Sequence, residues 1–170
     1  MDADSRRMTR SRLRDALGLA GFLALCFAVA GAGGAITATS VGGWYQALAK
    51  PPFNPPDWLF GPVWSVLYAM IALAGWRVWR LRGWTTDGAL NAELVAWAVQ
   101  LGLNLCWSFV FFGARMIGAA LVEILVLLAA IVVTGHLFRR VDRVAAWLLV
   151  PYAAWVAFAT LLNAALWRLN

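Results

Sequence analysis

The chain has 170 residues, of which 63% are hydrophobic and only 13% charged, and it carries a net charge of +6. A water-soluble domain of this size has too high a surface-to-volume ratio to hide so much apolar material, so part of its solvent has to be lipid. The cation excess comes with no nucleic-acid-binding motif and reads as a membrane-surface rim, so no nucleic-acid partner is expected.

The arginine-rich segment from Met1 to Arg14 reads as a cytoplasmic tail. The first apolar run, Ala16 to Thr39, is long enough to cross a bilayer. It exceeds the core of a typical signal peptide, and Gly42-Gly43 is a poor cleavage site, so a retained helix is expected. Its small residues Ala28, Ala30, Gly31, Ala32, Gly33 and Gly34 allow close helix approach, as do Ala98 and Gly102 in the third run. These are candidate contact faces within the bundle or between two copies, and a homodimer is the expected assembly.

Next comes a connection holding five of the six prolines and, from Trp44 to Tyr68, a dense set of aromatics. It is too proline-rich to span a membrane and too aromatic for a disordered linker. Its central part, about residues 40–59, reads as a semi-rigid lid over whatever the helices enclose.

The remaining spans are Phe60 to Val78, Leu94 to Phe112, Ile117 to Phe138 and Val144 to Trp167. Only Gly113-Ala114-Arg115-Met116 separates the third from the fourth, which forces an antiparallel hairpin. Pro151 is expected to kink or loosen the first turn of the fifth. With no period-two alternation a β-barrel is not expected. The expectation is an all-α membrane protein, with residues 15–170 forming one five-helix bundle.

Arginines sort by side in this scheme. Arg6, Arg7, Arg10, Arg12, Arg14, Arg77, Arg80, Arg82, Arg139, Arg140 and Arg143 share one face, and only Lys50, Arg115 and Arg168 take the other. The positive-inside rule then puts the amino terminus in the cytoplasm, and the lid and carboxy terminus on the opposite, periplasmic side of a bacterial inner membrane.

Polar residues inside lipid mark the interior. Glu93, Trp97, Gln100, Asn104, Trp107 and Phe111 recur at steps of three or four and form one stripe of helix three. Two readings fit: interhelical hydrogen bonds of roughly 0.6–2 kcal/mol each, or the wall of a binding cavity in which aromatic area gives affinity and a few amides give orientation. Helix five repeats the pattern with Tyr152, Trp155, Ala159 and Asn163, Ala159 leaving room beside Trp155. Helix two adds Trp64, Tyr68 and Gly75, and the lid adds Trp44, Tyr45, Phe53 and Trp58. An interfacial aromatic belt is the competing assignment, and it suits Trp79, Trp84 and Trp167 best. Glu123 in helix four is a second intramembrane carboxyl, either a functional group or a hydrogen-bonded bundle contact. Cys26, Cys106 and the single histidine, His136, lack metal-ligand spacing, so no metal site and no obligatory cofactor is expected.

Several of these segments resemble, in order, the signature of the translocator protein family, also called tryptophan-rich sensory proteins. The motifs are Trp44-Tyr45, Lys50-Pro51, Pro55-Pro56, Trp58, Pro62-Val63-Trp64, Gln100-Leu101, Asn104, Trp107, Phe111-Phe112-Gly113-Ala114-Arg115, Pro151-Tyr152, Trp155, Phe158-Ala159, Asn163 and Trp167-Arg168. The resemblance implies a five-helix bundle, usually dimeric, with a pocket under the first loop that binds porphyrins such as protoporphyrin IX. It assigns pocket roles to Tyr45, Trp64, Asn104, Trp107, Trp155 and Ala159, and implicates Tyr45, Trp64 and Trp155 in light-dependent porphyrin breakdown. Lys50 is the candidate partner for a porphyrin propionate. Cholesterol recognition in animal members involves a tyrosine where this chain has Ala164, so strong sterol binding through that segment is not expected.

The leading functional expectation is a porphyrin-binding membrane receptor or sensor with a role in tetrapyrrole transport or regulation. A light-dependent porphyrin-degrading activity, a small hydrophobic-ligand transporter and a regulatory scaffold are the alternatives. No hydrolytic triad, metal cluster or nucleotide loop supports ordinary catalysis.

Overall fold

The structure, a computed structural model, describes residues 3–86 and 88–170, with backbone only for residues 3–11 and Thr86. Among the described residues five helical segments are long and apolar enough to cross a membrane: Arg12–Val41, Asp57–Arg82, Ala92–Gly113, Ile117–Val141 and Arg143–Leu169. The shortest has 22 residues, a rise of about 33 Å, which matches a hydrocarbon core of about 30 Å. The expected all-α five-helix membrane architecture is therefore the observed one.

Helix α1 (Ala3–Val41) runs unbroken out of the arginine-rich segment. The side chains of Arg6, Arg7 and Arg10, with Met1 and Asp2, lie outside the described residues. The lid follows as a short helix α2 (Trp44–Ala47) and an extended proline-rich stretch. Helix α3 (Asp57–Arg82) starts with Asp57 in its first turn, where a carboxylate complements the exposed amides, and tolerates Pro62 one turn further on. The loop after it contains a two-residue antiparallel ladder, β1 (Thr85–Thr86) against β2 (Ala89–Leu90), a detail too short to leave a periodic signal.

Helix α4 (Ala92–Ser108) widens into one π-helical turn over Phe109–Gly113 before the chain reverses into α5 (Ile117–Val141). The reversal puts Arg115 in the left-handed region at φ 59°, an uncommon conformation for a residue with a side chain. Its flanking amides are satisfied, Ala114 N donating to Phe109 O at 2.7 Å and Met116 N to Val110 O at 3.0 Å. The last span is split. Helix α6 (Arg143–Leu148) ends at Leu149, and α7 (Val150–Leu169) begins with Pro151 in its first turn, where no intrahelical donor is needed. The expected disturbance at Pro151 is a one-residue interruption at Leu149, whose backbone stays in the helical region.

Two glycines, Gly18 of α1 and Gly75 of α3, have no room for a side chain. A Cβ on Gly75 would lie 2.7 Å from the Trp97 indole and 2.9 Å from Phe22, and one on Gly18 would lie 2.2 Å from the Trp79 ring. Trp79 is consequently buried at 8% exposure, with the Arg14 guanidinium 5.2 Å from its ring centroid. It belongs to the core and not to an interfacial belt. Trp84 and Trp167, at 53% and 57% exposure, are surface residues as that assignment requires.

Polar ties close both ends of the bundle. At one end Arg77 Nε donates to Asp142 Oδ2 at 2.6 Å, and Trp76 Nε1 donates to the Asp15 carbonyl at 2.8 Å. At the other end Ser40 Oγ donates to the Phe112 carbonyl at 2.7 Å. There Asn170 brackets Ala49, its Oδ1 accepting from the Ala49 amide at 2.9 Å and its Nδ2 donating to the Ala49 carbonyl at 3.1 Å. The lid and the end of α7 therefore share one end of the bundle.

Candidate ligand cavity

Beneath the lid the bundle encloses a cavity of about 620 Å³, within the usual range for small-molecule sites. Its walls come from α1, α3, α4 with the π-turn, and α7, with Tyr45 of α2 as part of the roof. Aromatic surface dominates: Trp64 and Phe60 from α3, Trp107, Phe111 and Phe112 from α4 and the π-turn, Trp155 from α7.

These rings are fixed by one another. Trp107 stacks on Phe111 with centroids 5.1 Å apart and planes at 24°. Phe60 meets Trp155 edge-on at 5.9 Å, and Trp64 lies 5.5 Å from Tyr68 and 6.2 Å from Tyr152. Within the π-turn both Phe111 and Phe112 pack against Tyr45, at 6.4 and 5.7 Å.

Amides pin the aromatics. Trp107 Nε1 donates to Asn163 Oδ1 at 3.3 Å, while Asn163 Nδ2 donates to the Ile117 carbonyl at 2.9 Å and so locks α7 to the start of α5. Tyr68 donates to Asn104 Oδ1 at 2.5 Å, and Asn104 Nδ2 donates to the Tyr152 hydroxyl at 3.1 Å. In the roof, the Tyr45 hydroxyl donates to Asn54 Oδ1 at 2.9 Å, and Gln46 Nε2 donates to Asp57 Oδ2 at 2.7 Å. Burial raises the Tyr45 phenol above its ordinary pKa; the Asp57 charge adds to this and the Asn54 hydrogen bond opposes it. Tyr45 is thus a neutral hydrogen-bonding group at physiological pH.

Of the residues expected from sequence, Tyr45, Trp64, Tyr68, Asn104, Trp107, Trp155, Ala159 and Asn163 line this one cavity. Trp97, Gln100 and Lys50 do not. Trp97 donates to the Ile71 carbonyl at 3.0 Å and fills the notch at Gly75, and Gln100 donates to the Trp97 carbonyl at 2.9 Å. Both share a stripe with Asn104, but that stripe continues past the cavity into solid packing between helices. Lys50 rests its Nζ 4.9 Å from the Tyr45 ring centroid and donates to the Gln46 carbonyl at 3.2 Å, above the roof. In the lid, Phe53 packs on Phe158 at 6.4 Å and Trp58 is 72% exposed, so neither reaches the cavity.

The wall that sequence periodicity missed is α1. Phe27, Ala30, Gly31, Gly34, Thr37, Ala38 and Val41 line the cavity at helical spacing. Of these, Phe27, Gly31, Gly34 and Ala38 are exposed, as are Gly61 and Ser65 across from them on α3, so the cavity opens sideways between α1 and α3. The small-residue run of α1 was the available signal. It suits a helix-contact face at Gly33, where a Cβ would lie 3.3 Å from Ser108 Oγ of α4, yet a Cβ on Gly31 or Gly34 would meet nothing within 4 Å.

Five spanning helices around an aromatic cavity roofed by a proline-rich lid define an integral membrane protein with an apolar hollow inside its bundle. The TspO/MBR family model matches residues 22–168, nearly the whole described bundle. The chain belongs to the TspO/MBR family. It is 44% identical over 154 residues to the tryptophan-rich protein TspO of Chlorobaculum tepidum, covering 91% of this chain and 96% of that one. It is 42% identical over 127 residues to the human translocator protein, 75% of each chain. It is 37% identical over 149 residues to the tryptophan-rich sensory protein of Cereibacter sphaeroides, 88% of this chain and 89% of the other.

Proposed function

We propose that this protein is a membrane receptor for porphyrins and related planar tetrapyrroles, held in the cavity between α1, α3, α4 and α7 and serving tetrapyrrole transport or sensing. The observation that carries the reading is the convergence of Trp64, Trp107 and Trp155 on one cavity of about 620 Å³ that also presents the polar groups of Tyr68 and Asn104. Indole faces stack on a flat π-surface, and the two polar groups orient it. A propionate at the lid side would recruit Lys50 by drawing its ammonium off the Tyr45 ring. Titration of the purified protein with protoporphyrin IX in the dark tests this: tryptophan fluorescence is expected to quench with saturation, and a linear, non-saturating response overturns the reading.

A second reading is supported by the placement of Tyr45, Trp64 and Trp155 around the same cavity, as light-dependent porphyrin breakdown through nearby indoles and a phenol requires. Illumination of the bound complex then bleaches the porphyrin to a distinct product, and Trp155→Phe suppresses that product while retaining dark binding. We further infer a cytoplasmic amino terminus from the distribution of arginines, and a homodimer with Ala98 and Gly102, both exposed on α4, as the candidate contact face.

A further inference from the structure

Helix α5 carries a half-buried acid that the cavity does not touch. Both carboxyl oxygens of Glu123 are shielded from solvent and have no hydrogen-bond partner among the described residues. Glu123 sits one turn from buried Ala120 and one turn from buried Leu127, on the inward side of the helix and inside the fourth span. It has no ion-pair partner among the described residues. A carboxyl in that setting is costly unless something satisfies it, and such groups mark functional sites by default.

The adjacent polar chain is complementary. Tyr68 donates to Asn104, and Asn104 donates to Tyr152, so every proton in the series points away from the cavity. Tyr152 is fully buried and ends the series holding an O–H for which no acceptor is present among the described residues. Glu123 is within electrostatic reach of Tyr152 and offers two acceptor atoms without donors. The titratable groups acting on Tyr152 are Tyr68 from α3, Cys26 from α1 and Glu123 from α5, while α4 contributes the neutral Asn104. No lysine, arginine or histidine is among them.

We propose that Glu123 is a proton-binding site that sets the hydrogen-bonding polarity of the cavity through Tyr152, Asn104 and Tyr68. With Glu123 ionised, Tyr152 donates toward it directly or through one water, Asn104 donates to Tyr152, and Tyr68 spends its proton on Asn104, so that the Tyr68 oxygen meets a guest only as an acceptor. With Glu123 protonated, the acid O–H donates to Tyr152 and the series inverts: Tyr152 donates to the Asn104 carbonyl, whose amide turns over, and the Asn104 amino group donates to Tyr68. The Tyr68 O–H is then released to donate into the cavity. One proton taken up at Glu123 thereby appears as one donor at the cavity wall, with every bond in the chain kept. A guest presenting acceptors binds more tightly to the protonated form, and by linkage such a guest raises the affinity of Glu123 for its proton.

The proposal rests on the cavity being the ligand site, and its test separates the two. Infrared difference spectra of the ligand-free protein in lipid nanodiscs, titrated with acid, read the carboxyl directly. A protonated-carboxyl C=O band is expected to titrate and to vanish in Glu123→Gln. The same band is expected to shift in Tyr152→Phe and in Tyr68→Phe, because both variants break the chain that connects it to the cavity. Absence of a band lost in Glu123→Gln, or a band indifferent to Tyr68→Phe, overturns the proposal whether or not any porphyrin binds. The second measurement uses protoporphyrin IX dimethyl ester, whose side chains carry carbonyl acceptors and no titrating carboxyl. Its affinity is expected to rise about fivefold as Glu123 protonates, the change one hydrogen bond of about 1 kcal/mol produces. Tyr152→Phe flattens that dependence. An unchanged pH profile in both Glu123→Gln and Tyr152→Phe refutes the coupling.

Discussion

Single side chains decide whether the cavity is a cavity. Ala159 lies beside Trp155 on the α7 wall, and its methyl group leaves room that a longer side chain would occupy. Ala159→Leu is expected to weaken protoporphyrin IX binding by at least about tenfold through occluded volume, while thermal stability in detergent changes little because the added methylenes enter open space. Fluorescence titration and a melting curve on the same sample check both halves. Asp142 makes a prediction of a different kind. The Arg77 hydrogen bond lowers its carboxyl below the usual carboxylate pKa, and the Val144 amide, donating at 2.9 Å, adds to this. A depressed native value means that the contribution to stability is complete above the unfolded-state pKa of about 4 and is lost as pH falls through the native value. Asp142→Asn is therefore expected to cost about 1–2 kcal/mol at neutral pH, a pair partly open to solvent being discounted, and progressively less below pH 4. Melting temperatures at pH 7 and pH 3.5 give the comparison. At this scale the sequence was partly legible. Asn104, Trp107, Trp155 and Asn163 were readable because amides and indoles sharing a helical face inside lipid have to point inward. Trp97 and Gln100 obeyed the same periodicity but met a neighbouring helix, since periodicity gives a face and not the distance to what lies opposite it.

At the scale of elements, the glycines of α1 and α3 divide by what they face. Gly18 and Gly75 sit where an added Cβ would collide with Trp79 or with Trp97 and Phe22, whereas Gly31 and Gly34 border open space. Gly75→Ala is expected to destabilise the bundle by about 1–3 kcal/mol through overpacking, with Trp97 forced off its hydrogen bond to Ile71. Gly31→Ala is expected to be neutral or to stabilise by up to about 1 kcal/mol through helix propensity. Thermal unfolding of the two variants side by side checks the contrast, and equal losses would contradict it. All the spans could be located from apolar run length, because the thickness of hydrocarbon fixes it. What run length could not contain was the π-turn at Phe109–Gly113, the one-residue interruption at Leu149 and the short ladder after α3, since each is a local hydrogen-bond choice made under tertiary contact. The role of α1 was hidden for a related reason. A run of small residues is compatible with a tight helix contact and with an empty volume, and only the position of the neighbouring helix separates the two.

Across the whole molecule, the lid is held at three places: Tyr45 to Asn54 within it, Gln46 to Asp57 at its foot, and Ala49 to Asn170 just past α7. Asn170→Ala is expected to leave the bundle intact but to raise amide hydrogen exchange across the lid, measurable by mass spectrometry, with little change in the peptides of α4 and α5. While the roof stays tied, the sideways gap between Phe27, Gly31, Gly34 and Ala38 of α1 and Gly61 and Ser65 of α3 faces acyl chains, since both helices are membrane spans. The compartment with which a guest of the cavity would equilibrate is accordingly the hydrocarbon phase. Occupancy then follows the mole fraction of guest dissolved per lipid, and adding empty vesicles at constant total guest would strip the protein even when its aqueous concentration is negligible throughout.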